Sequence, residues 1–297
     1  MATSPVLVLG IDGRSGAGKS TMAAELATAL RRHREVALFH LEDIYPGWDG
    51  LAAGTSAYVE SVLGPLVNSQ RATWETWDWA RGTTGPLSTL APAPVIIIEG
   101  VGAGCEAARP LLDALIWVQV PDGTRKERAL ARDGETFASH WDTWAAQEDS
   151  YLGADPVPAH ADVTLENRAD GSAAEHLLRA LQVLPACHRV LAPERSESAA
   201  LEPMHRIVQG TPDASALFEA LFGQARHAVL LESSNLGFTD PRQRNRYSIM
   251  GAATTDACAV YEQRHSTGIL REGTATARIT GGFFDWLADT WDSGPDR

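Results

Sequence analysis

Cysteine is rare in this chain: there are three among 297 residues, Cys105, Cys187 and Cys258. They lie far apart in sequence and form no Cys-x-x-Cys pair. A structural zinc site usually takes its ligands in close pairs, and a disulfide framework needs an even number of cysteines. We therefore expect neither, and we interpret the thiols as free groups in a reducing compartment, the cytoplasm.

Long apolar runs are missing as well. A membrane-spanning helix needs about 20 consecutive apolar residues, and the apolar runs of this chain are far shorter. The first residues lack the basic region and apolar stretch that mark a secretory signal. We expect a cytoplasmic protein that has no membrane partner.

Positive charge is in deficit, since 25 Lys and Arg residues face 38 Asp and Glu residues and the net charge is −13. No basic stripe is visible, so we expect no nucleic-acid partner. A small-molecule substrate is the expected partner, and an anionic one would need local Lys or Arg to overcome this field. The sequence does not indicate an oligomeric state.

Residues 6 to about 184 alternate strand-like and helix-like segments. Several strands are unbroken runs of Val, Ile and Leu, which are typical of parallel strands buried on both faces. The predicted strands are Val6–Ile11, Val36–Leu41, Val95–Ile98, Leu115–Val120 and Val163–Leu165, and the predicted helices are 19–32, 54–67, 122–133, 140–151 and 172–184. We predict an α/β fold with a parallel sheet and a ligand site at the carboxyl ends of its strands.

The pattern changes after residue 184. Residues 185–203 carry three prolines and a polar run, and we interpret them as a linker. Residues 204–297 predict a smaller α+β segment, with a helix at 213–224 and strands at 228–231, 247–250 and 257–261. The predicted organisation is therefore a domain at 1–184, a linker at 185–203 and a segment at 204–297.

The most specific motif is Gly13-Arg14-Ser15-Gly16-Ala17-Gly18-Lys19-Ser20-Thr21, which fits the P-loop pattern G-x-x-x-x-G-K-[ST] without a mismatch. A strand precedes it and a helix follows, so its backbone N–H groups can surround phosphate oxygens. We expect Lys19 to neutralise the β and γ phosphates of ATP and Ser20 to bind Mg²⁺. The predicted nucleotide-binding residues are Gly13, Ser15, Gly16, Ala17, Gly18, Lys19, Ser20 and Thr21.

Acidic side chains end two of the predicted strands. Asp43 could accept a proton from a substrate hydroxyl or help to hold Mg²⁺, and Glu42 is the alternative because one residue of register separates them. We interpret His40 as a packed strand residue. Glu99 ends the apolar strand 95–98, an arrangement typical of an acid that acts on Mg²⁺ through water.

Three arginines, Arg125, Arg128 and Arg132, lie on one face of the predicted helix 122–133. They could close over the γ-phosphate, or they could form a solvated face paired with neighbouring acids. Both interpretations stay open from the sequence alone.

Three tryptophans, Trp74, Trp77 and Trp79, surround Asp78. Planar rings around one carboxylate suit a sugar-bearing or aromatic ligand, although tryptophans are more often core residues. Asn167-Arg168-Ala169-Asp170 is loosely similar to the guanine-reading motif of GTPases, but Arg replaces its lysine and we consider a GTPase unsupported.

Together these motifs resemble those of the uridine kinase and phosphoribulokinase family, in the same order along residues 5–168. The resemblance implies that Asp43 is the catalytic acid, that Tyr45 contacts the substrate and that Asp78 contacts a ribose. It also implies that Glu99 is the acid of the third strand and that Arg128 and Arg132 are lid arginines. Arg81, close to Asp78, is a further candidate substrate contact.

The segment 204–297 resembles the N-terminal region of component I of aminodeoxychorismate and anthranilate synthases. The resemblance rests on residues 229–234, 246–251 and 282–287, and it implies an amino-acid pocket near Glu232, Ser233 and Ser248. The catalytic region of that family lies further toward the C-terminus, so the segment is expected to be incomplete and inactive in chorismate chemistry.

Two functional hypotheses follow. In the first, the chain transfers the γ-phosphoryl group of Mg-ATP to a small hydroxyl-bearing acceptor such as a nucleoside. Asp43 is then the base, and Lys19, Arg128 and Arg132 stabilise the charge. In the second, the chain is a non-catalytic, ATP-binding part of a truncated synthase of the folate pathway.

Overall fold

The structure is a computed structural model that describes residues 6–168, 171–191, 213–225, 228–232, 248–252, 259–264 and 267–291. The chain divides into two compact units. The first comprises residues 1–192 and 260–297, and the second comprises residues 193–259.

The strands follow the predicted ones closely up to residue 166, with additions. They are β1 Leu7–Asp12, β2 Val36–His40, β3 Ala72–Asp78, β4 Thr83–Leu90, β5 Val95–Glu99, β6 Ala114–Gln119, β7 Val163–Glu166, β8 Ala228–Glu232, β9 Ser248–Ala252, β10 Ala259–Arg264, β11 Thr267–Glu272 and β12 Ala275–Thr280.

The helices are α1 Lys19–Leu30, α2 Leu51–Tyr58, α3 Gly64–Val67, α4 Asp122–Ala138, α5 Trp141–Ala154, α6 Val157–His160, α7 Ala173–Gln182, α8 Pro185–Leu191, α9 Ala214–Phe222 and α10 Phe283–Trp291. A π-helical turn joins α2 to α3. None of the helices in the described ranges has both the length and the hydropathy needed to cross a bilayer.

A mostly parallel sheet forms the centre of the first unit, in the order β10-β11-β12-β7-β6-β1-β5-β2. Within this order, neighbouring strands pair in parallel from β7 through β6, β1 and β5 to β2. Every residue of β1 and β5 is buried, as their unbroken apolar sequences predict. The predicted α/β class with a parallel sheet is confirmed.

Helices cover both faces of this sheet. Leu7, Leu9 and Ile11 of β1 pack into a core with α1 and α7, whereas Val8 packs into the core on the opposite face. Successive residues of a strand point to opposite faces, so one apolar strand supplies both cores. The loops at the carboxyl ends of β1, β2 and β5 therefore lie at one edge of the sheet.

The antiparallel strands β11 and β12 extend the sheet beyond β7. Strand β12 pairs antiparallel with β7, and β11 pairs with β12. Leu270, Ala275, Ala277 and Ile279 are buried in the same core as α1 and α7. The predicted organisation, in which residues 204–297 form one segment, is different. Strands β11 and β12 join the sheet of the first unit because the pairing of β12 covers the edge of β7, which would otherwise be open.

Helix α8 lies within residues 185–203, which we had predicted to be a linker. Its residues Cys187, Val190 and Leu191 are buried against the core that contains α7. The apolar residues of this short stretch outweigh its prolines, because Pro185 stands at the first position of the helix, where its missing N–H costs nothing.

A two-stranded hairpin of β3 and β4 forms a separate sheet in the first unit. The sequence analysis did not predict these strands. The hairpin carries Trp79 on its turn, next to the end of β3.

In the second unit, β8 pairs antiparallel with β9, and Glu232 lies opposite Ser248 in their register. The side chain of Asp213 caps α9 by accepting a hydrogen bond of 2.9 Å from the N–H of Ala216. Helix α9 and these two strands agree with the predicted ones within a few residues.

The docking of β11 and β12 can be tested with Leu270, whose side chain is 2% exposed. We expect Leu270→Ala to lower the free energy of unfolding by about 2–5 kcal/mol, because it leaves a cavity in the core of the first unit. Urea unfolding followed by circular dichroism measures this. Leu87→Ala, at a site 68% exposed on β4, is the matched control and should change little. Equal effects of the two variants would contradict the docking.

Candidate active site

The predicted phosphate-binding loop runs from the end of β1 to the start of α1. Gly18 is the N-cap of α1, with a left-handed backbone. Gly16 has a φ of 81°, and a Cβ there would lie 2.0 Å from the carbonyl oxygen of Arg125. Only glycine fits both this conformation and this close approach, so the motif has a steric cause.

Asp12 holds the loop from within the fold. Its buried carboxylate accepts N–H bonds from Gly13 at 2.6 Å and Gly104 at 2.9 Å, and it also accepts from Gly102 and the Tyr151 hydroxyl. Burial raises the pKa of Asp12, and these backbone hydrogen bonds oppose the rise. The start of the P-loop is thus tied to the loop that follows β5.

Glu148 of α5 holds the loop from the opposite side. Its carboxylate, with no exposed surface, accepts the Ser15 N–H at 2.7 Å and forms ion pairs with Arg14 and Arg125. The indole N–H of Trp144, one turn earlier on α5, donates to the Ser15 hydroxyl at 2.8 Å. The backbone of the loop is therefore anchored on two sides.

A cavity of about 220 Å³ opens over this loop. Its wall combines P-loop residues with residues from β5, α4, α5, the hairpin and the segment after β2. The lining residues are Ser15, Gly16, Gly18, Lys19, Ser20, Thr21, Glu42, Tyr45, Trp48, Trp79, Glu99, Gly100, Val101, Arg128, Ala129 and Trp144. The structure therefore brings most of the predicted nucleotide-binding residues together with Tyr45, Glu99 and Arg128.

Lys19 contributes a largely buried ammonium group to this wall. Its Nζ donates to the carbonyl oxygen of Arg14 at 3.1 Å. Gly13 and Ala17 belong to the same loop but stand outside the cavity wall. Both are backbone positions whose geometry shapes the loop.

A histidine–glutamate pair stands at the edge of the cavity. His40 and Glu99 are register partners at the ends of β2 and β5, and Nδ1 of His40 lies 2.5 Å from Oε1 of Glu99. The hydrogen bond to Glu99 raises the pKa of His40, while partial burial opposes the rise. His40 is thus the ion-pair partner of Glu99, whereas the sequence predicts only a packed strand residue.

The two acids after β2 differ in position. Leu41–Asp43 form a single 3₁₀ turn, and Glu42 lies in the cavity wall whereas Asp43 does not. Partial burial raises the pKa of Asp43, and His40 opposes the rise. Glu42 is therefore the member of this pair that contributes to the cavity wall, whereas the sequence-based choice was Asp43.

Aromatic residues form another part of the cavity wall. Trp48 contacts Trp79 with ring centroids 4.7 Å apart, and Tyr45 meets Trp144 edge-on at 5.1 Å. The Tyr45 hydroxyl donates to the carbonyl of Val101 at 2.6 Å. Tyr45 is thus a packed residue of the wall, only 3% exposed, whose hydroxyl is bonded to the backbone.

Arg125 and Arg128 of the predicted arginine face lie in different environments. Arg125 is 6% exposed, and its guanidinium donates to Glu148 and to the Ser15 carbonyl, so it braces the loop. Arg128 lines the cavity and approaches the Asn167 carbonyl at 3.4 Å. Arg132 lies on α4, and only its backbone is described.

Asp78 and Arg81 stand outside the cavity wall. The carboxylate of Asp78 accepts the N–H groups of Ala80 and Arg81 at 3.1 and 3.0 Å, so it shapes the turn of the hairpin. Arg81 is exposed and pairs loosely with Asp78. Of the neighbouring tryptophans, Trp79 lines the cavity and Trp74 packs edge-on against Phe39 in the core.

The predicted amino-acid pocket belongs to the second unit. The backbones of Glu232 and Ser248 face each other in β8 and β9, and their side chains are not described. Ser233 lies outside the described residues. The pocket remains a prediction.

The chain is similar in sequence to known proteins. The chain is 24% identical over 196 residues to a uridine kinase of Lactobacillus helveticus, a match that covers 58% of this chain and 92% of that relative. It is 29% identical over 143 residues to a uridine kinase of Leuconostoc citreum, covering 43% of this chain and 68% of that relative. No model of a protein family matches.

The chain is homologous to uridine-kinase-like P-loop kinases over more than half of its length. A solved structure described as a possible uridine kinase from Bacillus stearothermophilus is 24% identical, with a TM-score of 0.41, and covers 55% of this chain and 90% of that one. None of these proteins is a chorismate-using synthase, so the resemblance of 204–297 remains a prediction.

Sequence reasoning missed several residues that the structure places at this site. Trp48 and Trp144 line the cavity, and Asp12 and Glu148 anchor the loop. Trp48 follows the pair Pro46-Gly47, which lies shortly after the acids in sequence. This pair indicates a loop near the site. Glu148 carried no comparable indication, since its P-loop partners Arg14 and Ser15 lie more than 100 residues away in sequence.

The His40–Glu99 pair predicts a pH-dependent contribution to stability. Because folding raises the pKa of His40, the pair stabilises the folded protein fully below the ordinary value near 6.5 and loses this effect as the pH rises through the folded-state pKa. The difference in unfolding free energy between wild type and His40→Gln should therefore shrink from about pH 6 upward. Urea unfolding across pH measures it, with His40→Gln in a Glu99→Gln background as the control. A difference that grows with pH would refute the ion pair.

Proposed function

We propose that this protein transfers the γ-phosphoryl group of ATP to a hydroxyl group of a small, uncharged, ring-bearing acceptor such as a nucleoside. The observation that carries the proposal is the composition of one cavity, whose wall joins an anchored P-loop to aromatic rings and two carboxylates. The homology to kinases supports the transfer reaction, and the acceptor is inferred from the wall.

The nucleotide half of the site is the P-loop. The Ser15 N–H is bonded to Glu148 and the Ala17 N–H to the Arg14 carbonyl, so we assign the N–H groups of Gly16 and of residues 18–21 to the phosphates of ATP. Lys19 supplies a compact positive charge beside them, and it neutralises charge on the transferring group. Arg128 adds a second positive charge from α4, and we assign the same role to Arg132.

Mg²⁺ is the metal that this chemistry implies. Among the described residues no group of three or more His, Cys, Asp or Glu could hold a metal by itself, so phosphate and water oxygens would supply most of the ligands. Oxygen donors of Ser20 and Glu99 stand in the same wall and fit this hard cation. When bound, Mg²⁺ neutralises phosphate charge.

The acceptor half favours an uncharged molecule with a flat face. Trp48 and Trp79, which are partly exposed, supply ring surface for stacking, and Glu42 repels an anionic acceptor. The relatives described above are uridine kinases, and a nucleoside has both a planar base and free hydroxyl groups. We therefore propose a nucleoside as the acceptor, with uridine as the first to test.

An acid after β2 accepts the proton of the attacking hydroxyl. The sequence prediction assigns this role to Asp43, and it remains a candidate. We favour Glu42 because it contributes to the cavity wall. Both acids act on His40, and the charge of Asp43 contributes more than that of Glu42 to the raised pKa of His40. A carboxylate that takes the proton as the O–P bond forms completes the transfer.

The alternative function, a non-catalytic ATP-binding part of a chorismate-using synthase, has no support among the relatives and structures compared.

The test is product analysis by mass spectrometry after incubation with Mg-ATP and single acceptors. We expect a nucleoside monophosphate and ADP in equal amounts with the wild-type protein. Acceptors that carry a carboxylate or a phosphate should give far less product. ADP formation without a phosphorylated acceptor, or a preference for anionic acceptors, would contradict the proposal.

The same assay separates the two acids. We expect Glu42→Gln to lower kcat by about 10²- to 10⁴-fold, because it removes the base, and Asp43→Asn to lower it much less. Asp43→Asn is the matched control, since the residue lies next to Glu42 and carries the same charge. If only Asp43→Asn is inactive, the base is Asp43 and the assignment of Glu42 is wrong.

A further inference from the structure

Glu148 is a charged residue at the middle of α5, and its carboxylate is completely buried. It does not belong to the cavity wall, so it makes no contact there with nucleotide or acceptor. Burial of a carboxylate is costly unless its charge and its lone pairs are satisfied. The partners of Glu148 show which part of the structure this buried carboxylate stabilises.

All three partners of Glu148 belong to the P-loop or hold it. Oε1 accepts the Ser15 N–H at 2.7 Å, and Oε2 lies 3.1 Å from Nε of Arg14 and 3.3 Å from Nη1 of Arg125. Arg125 in turn donates to the Ser15 carbonyl at 3.2 Å. Both backbone polar groups of Ser15 are therefore held by one charge cluster.

The ion pair with Glu148 also favours the charged form of Arg14. Partial burial acts to lower the pKa of Arg14, yet the hydrogen bond and the charge of Glu148 raise it above its ordinary value. A second ion pair, to Asp149, also joins Arg14 to α5.

We propose that Glu148 is a positioning residue that holds the P-loop backbone in the conformation that binds the phosphates of ATP. A loop with glycines at positions 13, 16 and 18 has many accessible conformations, and ordering it on binding would cost affinity. Fixing Ser15 beforehand removes part of this cost, because this residue then no longer has to be ordered when ATP binds. This inference rests on the proposed ATP site and adds to it the element that preorganises the site.

The neighbouring residue on α5 serves the other half of the cavity. The side-chain amide of Gln147 donates to the Trp48 carbonyl at 2.5 Å and accepts the Leu51 N–H at 3.2 Å. Helix α5 thus carries adjacent residues that hold the P-loop and the aromatic segment. Glu148 acts on the nucleotide half.

The test compares Glu148→Ala with Asp155→Ala in the full chain. Asp155 caps the end of α5 and pairs with Arg109 at 2.7 Å, so it is a partly buried carboxylate–arginine pair on the same helix, outside the cavity wall. We expect Glu148→Ala to raise the Kd of ATP, measured by calorimetry well below Tm, by about tenfold or more. Asp155→Ala should lower Tm and leave the Kd within about twofold.

Glu148→Gln refines the result. It also takes the place of Glu148→Ala if the alanine variant does not fold. Its amide oxygen can still accept the Ser15 N–H but lacks the charge that holds both arginines, so we expect an intermediate Kd. A Kd equal to that of the wild type in a folded Glu148 variant overturns the inference and leaves the proposed function intact. If the wild type itself binds no ATP, the proposed function fails, and the inference fails with it.

Discussion

A phosphate-binding loop works only if several backbone N–H groups converge on one point, and glycine-rich backbone does not hold such a conformation by itself. In this protein two buried carboxylates supply the constraint. Asp12 joins Gly13 to the loop after β5, and Glu148 joins Ser15 to α5. The loop that carries the most specific motif thus depends on residues that the motif does not include.

The same two anchors connect the loop to the rest of the site. The loop after β5 carries Gly100 and Val101, which line the cavity and follow Glu99, and Val101 accepts the hydroxyl of Tyr45. Helix α5 carries Trp144, whose indole bonds to Ser15 and whose ring packs against Tyr45. The nucleotide half and the aromatic half are therefore built on shared supports, as a transfer reaction between two bound molecules requires.

Much of this fold is predictable because it is local. Buried parallel strands appear as runs of Val and Ile, and a P-loop is one contiguous motif between a strand and a helix. The position of β11 and β12 is different, since β12 pairs with β7 more than 100 residues away and their alternating sequence does not specify a partner. Residue order alone could therefore not assign 267–280 to the first unit.

The candidate site shows the same limit at finer scale. The choice between Glu42 and Asp43 depends on how a single 3₁₀ turn begins after β2, and one residue of rotation decides which acid faces the cavity. Asp78 was predicted to contact a substrate because it resembles a family motif, whereas its carboxylate is bonded to the turn N–H groups of Ala80 and Arg81. That turn could have been anticipated, because Asp78 precedes Gly82 by four residues and Asp and Gly favour tight turns.

The central claim is that the anchored loop at residues 13–21 binds ATP. Calorimetric titration of ATP into the wild-type protein and into Lys19→Ala tests it most directly. The account predicts one ATP bound per chain, and a Kd that rises by about tenfold or more when the lysine charge is removed. No binding to the wild type, or equal binding to both proteins, would contradict it.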